Sequence, residues 1–248
     1  VTSLFLSGDG RMGVALRGLI EDGDPSAAGL SVSHTLEGAD VVLDYSHPSQ
    51  SEGLIAQLMD AGKPLLVGTT GLSEALLASL ERLSRHSAVV VAPNTGTGIG
   101  VLAALVENAV NALGPGWDIE VLEMHHRNKV DAPSGTAWML LDAAARASGS
   151  REDESRERGV ASRVGAVGSR SNDEIGVQSL RGGDVVGEHT VYLVGHGERI
   201  ELTHRCWDRA TFARGGLRVA RWLTEPGRQP GLYSMRDVVS VGEPRSTS

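Results

Sequence analysis

Between Ile119 and His126 the chain alternates. Ile119, Val121, Glu123 and His125 fall on one face, and Glu120, Leu122, Met124 and His126 on the other, which is the two-residue period of a strand. A charged stretch follows, and then Pro133 and Ser134-Gly135-Thr136 open a run of Ala137, Leu140, Leu141 and Ala144. Those apolar positions have the three-and-four spacing of an amphipathic helix. The segment therefore predicts a strand, a polar loop and a helix start.

The chain ahead of it predicts a repeating α/β pattern. Leu4-Phe5-Leu6 reads as a short strand, Ser7-Gly8-Asp9-Gly10-Arg11-Met12-Gly13 as a glycine turn, and Met12, Leu16, Leu19 and Ile20 as one helix face. Strands at Val41–Tyr45, Leu65–Val67 and Val89–Ala92 alternate with helices from about Ser49 to Asp60 and Ser73 to Arg85. Strands joined through helices need crossover connections, so this half predicts a parallel sheet with its ligand loops at the C-terminal edge. Only Leu30–His34 is available as a second strand, so that element is expected to be missing or much reduced. Ile99–Leu113 predicts a helix leading into a second domain. Short strands follow at Ile175–Arg181, His189–Val194 and Arg199–Thr203, and the breaks at Gly182-Gly183 and Gly195-His196-Gly197 are read as hairpins in a mixed or antiparallel sheet. Phe212–Leu223 predicts a last long helix. Arg151–Arg158 reads as a solvated charged loop and Glu243–Ser248 as a frayed tail.

Composition narrows the functions this fold can serve. A net charge of −8 argues against a nonspecific nucleic-acid binder. The single cysteine, Cys206, excludes an internal disulfide and a CxxC metal site. No run approaches ~18 apolar residues and the start has no leader pattern, so a cytoplasmic protein with no membrane segment is the expectation.

The chemistry concentrates around the alternating strand. Adjacent imidazoles at His125 and His126 are side chains able to give or take a proton, Lys129 carries a positive charge, and Gly135 and Thr136 sit where a helix N-terminus favours an anion. This set suits a small carboxylate substrate and a proton transfer. The alternatives are a strand-capping histidine pair with a solvated lysine, and a histidine metal site built from His125, His126 and His204. At the other end of the chain, the glycine turn after a strand suits the pyrophosphate of a dinucleotide.

The string EMHHRNKVDAPSGTA resembles the signature of the dihydrodipicolinate reductases, also called 4-hydroxy-tetrahydrodipicolinate reductases, of lysine and diaminopimelate biosynthesis. The segments RGGDVVGEHTVYL, GERIELTHR and MRDVV extend the resemblance. It implies an α/β chain with a Rossmann-like dinucleotide-binding domain, residues 1–97 and 209–248, and an α+β substrate-binding and oligomerisation domain, residues 98–208. It implies His125 as general acid, Lys129 as its assistant, and His126, Ser134, Gly135 and Thr136 as a clamp for a small dicarboxylate. The same resemblance places NADPH or NADH against Ser7, Gly8, Asp9, Gly10, Arg11 and Met12, against Gly68, Thr69 and Thr70, and against Ala92, Pro93, Asn94 and Thr95. It implies a homotetramer, and no metal is expected because Lys129 inside the motif opposes a bound cation. Arg181, His189 and His204 are candidates for support behind the site.

Three departures from the family pattern accompany this. Ser7 stands where a first glycine is usual, Thr95-Gly96 replaces an aromatic residue and a serine, and the second strand carries no acid at its end. These departures keep two rival readings open, a reductase of another carboxylated cyclic imine and a non-catalytic scaffold with weakened cofactor binding.

Overall fold

A computed structural model describes residues 1–149 and 157–239. Most of the charged stretch Arg151–Arg158 and the whole tail Glu243–Ser248 lie outside the described residues. The chain divides into two compact units, Val1–Thr97 with Ala210–Ser248, and Gly98–Arg209.

The first unit is built on β1 (Thr2–Ser7), β2 (Leu30–Ser33), β3 (Val41–Asp44), β4 (Leu65–Val67), β5 (Ala88–Val91) and, much later in the chain, β11 (Gly231–Tyr233). They form one sheet in the order β11-β5-β4-β3-β1-β2, with every pairing parallel. β3 lies between β1 and β4 and is buried at all four positions, so Val41, Val42 and Leu43 run apolar without alternating, and the buried Asp44 that ends the strand is bonded by the Ser46 and Ser51 hydroxyls. The helices α1 (Arg11–Glu21), α2 (Pro48–Ala61) and α3 (Glu74–Ser84) provide the crossovers. Leu54, Ile55 and Leu58 from α2 and Leu76, Leu80 and Leu83 from α3 cover Val42, Leu65, Val67 and Val89. Ser73 caps α3 by accepting the amide of Leu76 at 3.2 Å, and Gly62 ends α2 in the left-handed conformation at φ 60°.

The second strand is present in the reduced form that Leu30–His34 allowed, and it is not missing. β2 has only four residues, yet all of them pair with β1, from Thr2 with Leu30 to Phe5 with Ser33. A partner far along the chain holds it in place. Helix α6 (Ala210–Leu223) sends Arg221 to the carbonyls of Ser26 and Ala28 at 2.5 and 2.6 Å, and Arg214 to Asp24 at 3.1 Å. These bonds fix the short 3-10 turn Pro25–Ala27 that delivers the chain to β2.

The second unit contains most of α4 (Thr97–Leu113), then β6 (Asp118–His125), α5 (Gly135–Ala147), β7 (Gly159–Val160), β8 (Ile175–Arg181), β9 (Gly187–Val194) and β10 (Arg199–Cys206). Its sheet order is β10-β9-β6-β8-β7. β6 is central, antiparallel to β9 and parallel to β8. Ile119 and Val121 of β6, Ile175 and Val177 of β8, and Val191 and Leu193 of β9 form a single apolar face. Leu102, Val106 and Val110 of α4 and Leu140, Leu141 and Ala144 of α5 pack on it.

The break at Gly195-His196-Gly197 is the expected hairpin between antiparallel β9 and β10. The break at Gly182-Gly183 is not a hairpin, because β8 and β9 lie on opposite sides of β6. There the chain crosses the end of β6. The amide of Gly182 bonds the carbonyl of His125 at 3.0 Å, and the carbonyl of Gly183 accepts the amide of Arg127 at 3.2 Å.

Candidate active site

In the first unit the strand ends that matter are those of β1, β3, β4 and β5, all on the C-terminal edge because the sheet is parallel. The chain leaves β1 toward β2 on one side and returns to β3 on the other, so the topological switch lies between β1 and β3. The glycine turn occupies that position. Gly8 has φ +103°, and a Cβ there would meet the Tyr45 carbonyl oxygen at 2.7 Å, so both conformation and space require glycine. A Cβ on Gly13 would fall 2.0 Å from the Gly8 carbonyl oxygen, which shows how closely α1 approaches the turn.

Helix α1 begins at Gly10 with no side-chain cap and no acid in its first turn. Its N-terminal amides thus suit a diphosphate. Ser7 is the last residue of β1, extended and paired with Asp44, so the missing glycine imposes no strain there. Asp9 and Arg11 are exposed and Met12 is half-buried, with Asp9 paired to Arg17 at 3.1 Å.

The other two predicted cofactor loops pack tightly behind this edge. Gly68 is required by Tyr45, whose ring would lie 2.1 Å from an added Cβ. Thr69 is buried with its hydroxyl on the Ser46 carbonyl at 3.2 Å, and Thr70 is exposed. Ala92 is buried, Pro93 is exposed, and Asn94 Oδ1 accepts the amide of Gly96 at 2.9 Å. Thr95 is buried and faces the interior of the unit. Its hydroxyl donates to the Phe212 carbonyl at 2.7 Å and accepts from Tyr45 at 3.2 Å, so the residue that replaces the family's aromatic ring anchors α6.

In the second unit the functional candidates lie on β6, the loop after it and the start of α5. The loop is fastened at several points. The Lys129 amide bonds the His126 carbonyl at 3.1 Å, and Arg181 bonds the Asp131 carbonyl at 2.6 Å. Lys129 is not a bare charge, because Asp131 holds its ammonium at 2.8 Å. That ion pair also keeps the half-exposed Asp131 carboxyl below its ordinary range, against the opposing effect of desolvation. Ser134 is 2% exposed and caps α5, accepting the Ala137 amide at 3.1 Å. Gly135 and Thr136 form the first helical turn, which contains no acid, and His126, directly after β6, is half-buried.

The centre of this constellation is a residue that sequence reasoning left unassigned. Glu123 is fully buried on β6 and accepts from His125 Nδ1 at 2.6 Å, from both terminal nitrogens of Arg181 at 2.7 Å, and from the Ser134 amide at 3.1 Å. Burial alone would raise its carboxyl, but the bonds from His125 and Arg181 outweigh that and hold it well below the usual carboxylate range. His189 is buried one strand away, with Nε2 3.2 Å from the Ser134 hydroxyl and its ring edge-on to His125 at 5.1 Å. Burial, reinforced by His125, pushes His189 down to about 3, so its ring is neutral. The available signal was an acid on the apolar face of β6, two residues before His125. A charge in an apolar stripe needs a partner, and Arg181 supplies it from 58 positions away.

His204 is half-buried beside Gly98, where an added Cβ would touch its ring at 2.7 Å, and burial lowers its pKa. Among the described residues, no three His, Cys, Asp or Glu side chains are grouped to hold a metal ion. Nor is any helix among them long and apolar enough to cross a membrane.

A glycine turn at the switch point of a parallel sheet, joined in one chain to a separate mixed-sheet unit with an ordered imidazole, defines a dinucleotide-dependent oxidoreductase. Comparison with known proteins makes the class specific. Residues 98–239 match the family described as Dihydrodipicolinate reductase, C-terminus, and residues 25–95 match its N-terminus. The 4-hydroxy-tetrahydrodipicolinate reductase of Halorhodospira halophila is 44% identical over 236 residues, 95% of this chain and 82% of its own length. That of Beijerinckia indica is 48% identical over 204 residues, 82% of this chain and 73% of its own. A dipicolinate-bound dihydrodipicolinate reductase from Paenisporosarcina sp. TG-14 shares the fold with a TM-score of 0.72 at 21% identity, covering 94% of this chain and 97% of that one. This chain belongs to the dihydrodipicolinate reductase family.

Proposed function

We propose that this protein reduces 4-hydroxy-tetrahydrodipicolinate, by way of its dehydrated ring imine, to tetrahydrodipicolinate, with NADPH or NADH as reductant, in lysine and diaminopimelate biosynthesis. The observation that carries this reading is the ordered segment from β6 to α5. It gathers an anchored imidazole, a lysine and a helix N-terminus free of acids within one family signature.

The nicotinamide, when bound, supplies the hydride. The turn from Ser7 to Met12 holds its diphosphate, with Gly68, Thr69, Thr70 and Ala92 to Asn94 at the neighbouring strand ends. Thr95 contributes by tying that loop to α6. His125 delivers a proton to the carbanion or enamine left by hydride addition. Lys129, kept in place by Asp131, assists that delivery and favours the anionic substrate. His126 and the first turn of α5, Gly135 and Thr136, bind the substrate carboxylates, and Ser134 shapes that turn as its cap. The division of labour proposed for the chain is cofactor binding by the first unit, and substrate binding and oligomerisation by the second.

No carboxylate ends β2, and Ser33 turns its hydroxyl to the Thr35 carbonyl at 2.8 Å. The element that usually rejects a 2′-phosphate is therefore absent from this strand, and the proposal is that NADPH is not excluded. A cytoplasmic homotetramer completes the reading. It is supported by the exposed Leu180 and Val194 of the second sheet, and sedimentation velocity checks it.

The deciding experiment is a coupled assay in which the substrate is generated enzymatically and NADH or NADPH oxidation is followed. Substrate-dependent oxidation is the expected result. Cofactor binding without turnover would point to a different imine, and neither binding nor turnover to a scaffold.

A further inference from the structure

Each of the four bonds to Glu123 comes from a donor. A carboxylate accepts at roughly four lone-pair positions and donates from none while ionised. Here Oε2 receives His125 Nδ1 and Arg181, and Oε1 receives Arg181 and the Ser134 amide. The His125 Nδ1 position must then carry a hydrogen, so the nitrogen that gains and loses a proton is Nε2.

The surroundings of the ring are consistent with that assignment. The Nε2 edge lies over Gly187, where a Cβ would come within 3.0 Å, so only a residue without a side chain leaves that edge its space. The neutral ring of His189 packs edge-on to His125, supporting it without placing a second charge beside it. The same carboxylate that orients His125 also bonds the Ser134 amide, directly ahead of the α5 turn.

We infer that Glu123 is a positioning residue, held by Arg181, which locks His125 with its proton on Nδ1 and presents Nε2 as the proton-transfer atom while pinning the start of α5. The part concerning turnover rests on the reading of His125 as the proton donor. The part concerning the tautomer does not.

The variant Glu123→Gln separates the two tasks. Its amide oxygen in the Oε1 place can still accept from Arg181 Nη2 and the Ser134 amide, while its NH2 group in the Oε2 place gives up the bond from Arg181 Nη1 and donates to His125 Nδ1, so that the neutral ring carries its hydrogen on Nε2. The full chain is labelled with 15N-histidine, and the tautomer is read from two-bond nitrogen–proton correlations, with the His125 signal assigned by its loss in His125→Gln. In the wild type, neutral His125 should be protonated on Nδ1. In Glu123→Gln the hydrogen should move to Nε2. The kcat should fall by at least about tenfold, as expected for a proton donor presented in the wrong form, with substrate KM changed by less than about threefold.

A wild-type spectrum showing the hydrogen on Nε2 would overturn the inference without any variant, so a Glu123→Gln protein that failed to fold would not protect it. A folded Glu123→Gln enzyme with wild-type kcat would overturn it as well. Absence of reductase turnover in the wild type would defeat the functional reading alone, because the spectrum still reports the tautomer.

Discussion

Replacing Arg181 with methionine removes the guanidinium that neutralises a fully buried carboxylate, and its cost can be worked from the structure. Arg181 gives two bonds to Glu123, one to the Asp131 carbonyl and one to the Leu180 carbonyl. Methionine fills much of the same volume but returns none of them, and Glu123 keeps His125 and the Ser134 amide without a compensating full charge from Arg181. Breaking a buried ion pair by deleting one partner costs about 3–5 kcal/mol. At roughly 4 °C per kcal/mol for a domain of about a hundred residues, the transition of the second unit should fall by about 12–20 °C at pH 7.

The pH dependence gives a second, independent check. The wild-type Glu123 carboxyl is held below its ordinary value of 4.5, so its contribution to stability is fully present above pH 4.5 and is lost as the pH falls below it. In Arg181→Met, burial acts with less opposition and the folded carboxyl takes up its proton at a higher pH than in the wild type. The stability gap between the two proteins must therefore narrow on acidification. Calorimetry from pH 7 down to about pH 3, which extends well below 4.5, measures it. A gap below about 1 kcal/mol at pH 7, the level of an exposed ion pair, would refute the view that this pair is buried and coupled. So would a gap that does not narrow.

Other predictions follow from the same geometry. His125→Gln should retain the fold and lower kcat by about 10²-fold or more in the coupled assay, and unchanged turnover would remove His125 from the proton transfer. Lys129→Ala should lower kcat and raise the substrate KM together, because a charge beside the clamp is lost, and ordinary kinetics would return Lys129 to the role of a surface partner of Asp131. Gly68→Ala forces a Cβ into the half-buried Tyr45 ring and should destabilise the first unit by about 1–3 kcal/mol, read as a lower melting temperature for that unit. NADH and NADPH titrated side by side by calorimetry should bind within about tenfold, or ~1.4 kcal/mol, of each other. A stronger preference for NADH would require an acidic ribose ligand from elsewhere, with the exposed Glu37 the first to test.

Local pattern alone determined a great deal here. The alternation through β6, the serine cap of α5, the glycine turn after β1 and the strand-helix repeat of the first unit are all written in spacings of two to four residues, because side-chain period and capping chemistry act over a single turn or pleat. The composition of the His125–Thr136 segment could be read for the same reason, since its groups are neighbours in the chain.

Tertiary structure decided what depends on pairing across distance. A four-residue β2 is held by its pairing with β1 and by arginines of α6 that fix the turn before it, and no local signal in Pro25–Ala27 announces them. Gly182-Gly183 has the composition of a hairpin, yet the sheet order makes it a crossing, because β6 had already taken the central place. Thr95 stands in a loop expected to line the cofactor, and only the fold shows that its hydroxyl also bonds the Phe212 carbonyl of α6. Above all, Glu123, Arg181, His189 and Ser134 meet because β6, β8 and β9 share one register and α5 begins beside them. A buried charge tells a reader that it needs a partner, but the partner's identity comes from the sheet, where residues far apart in sequence are brought within the length of a hydrogen bond.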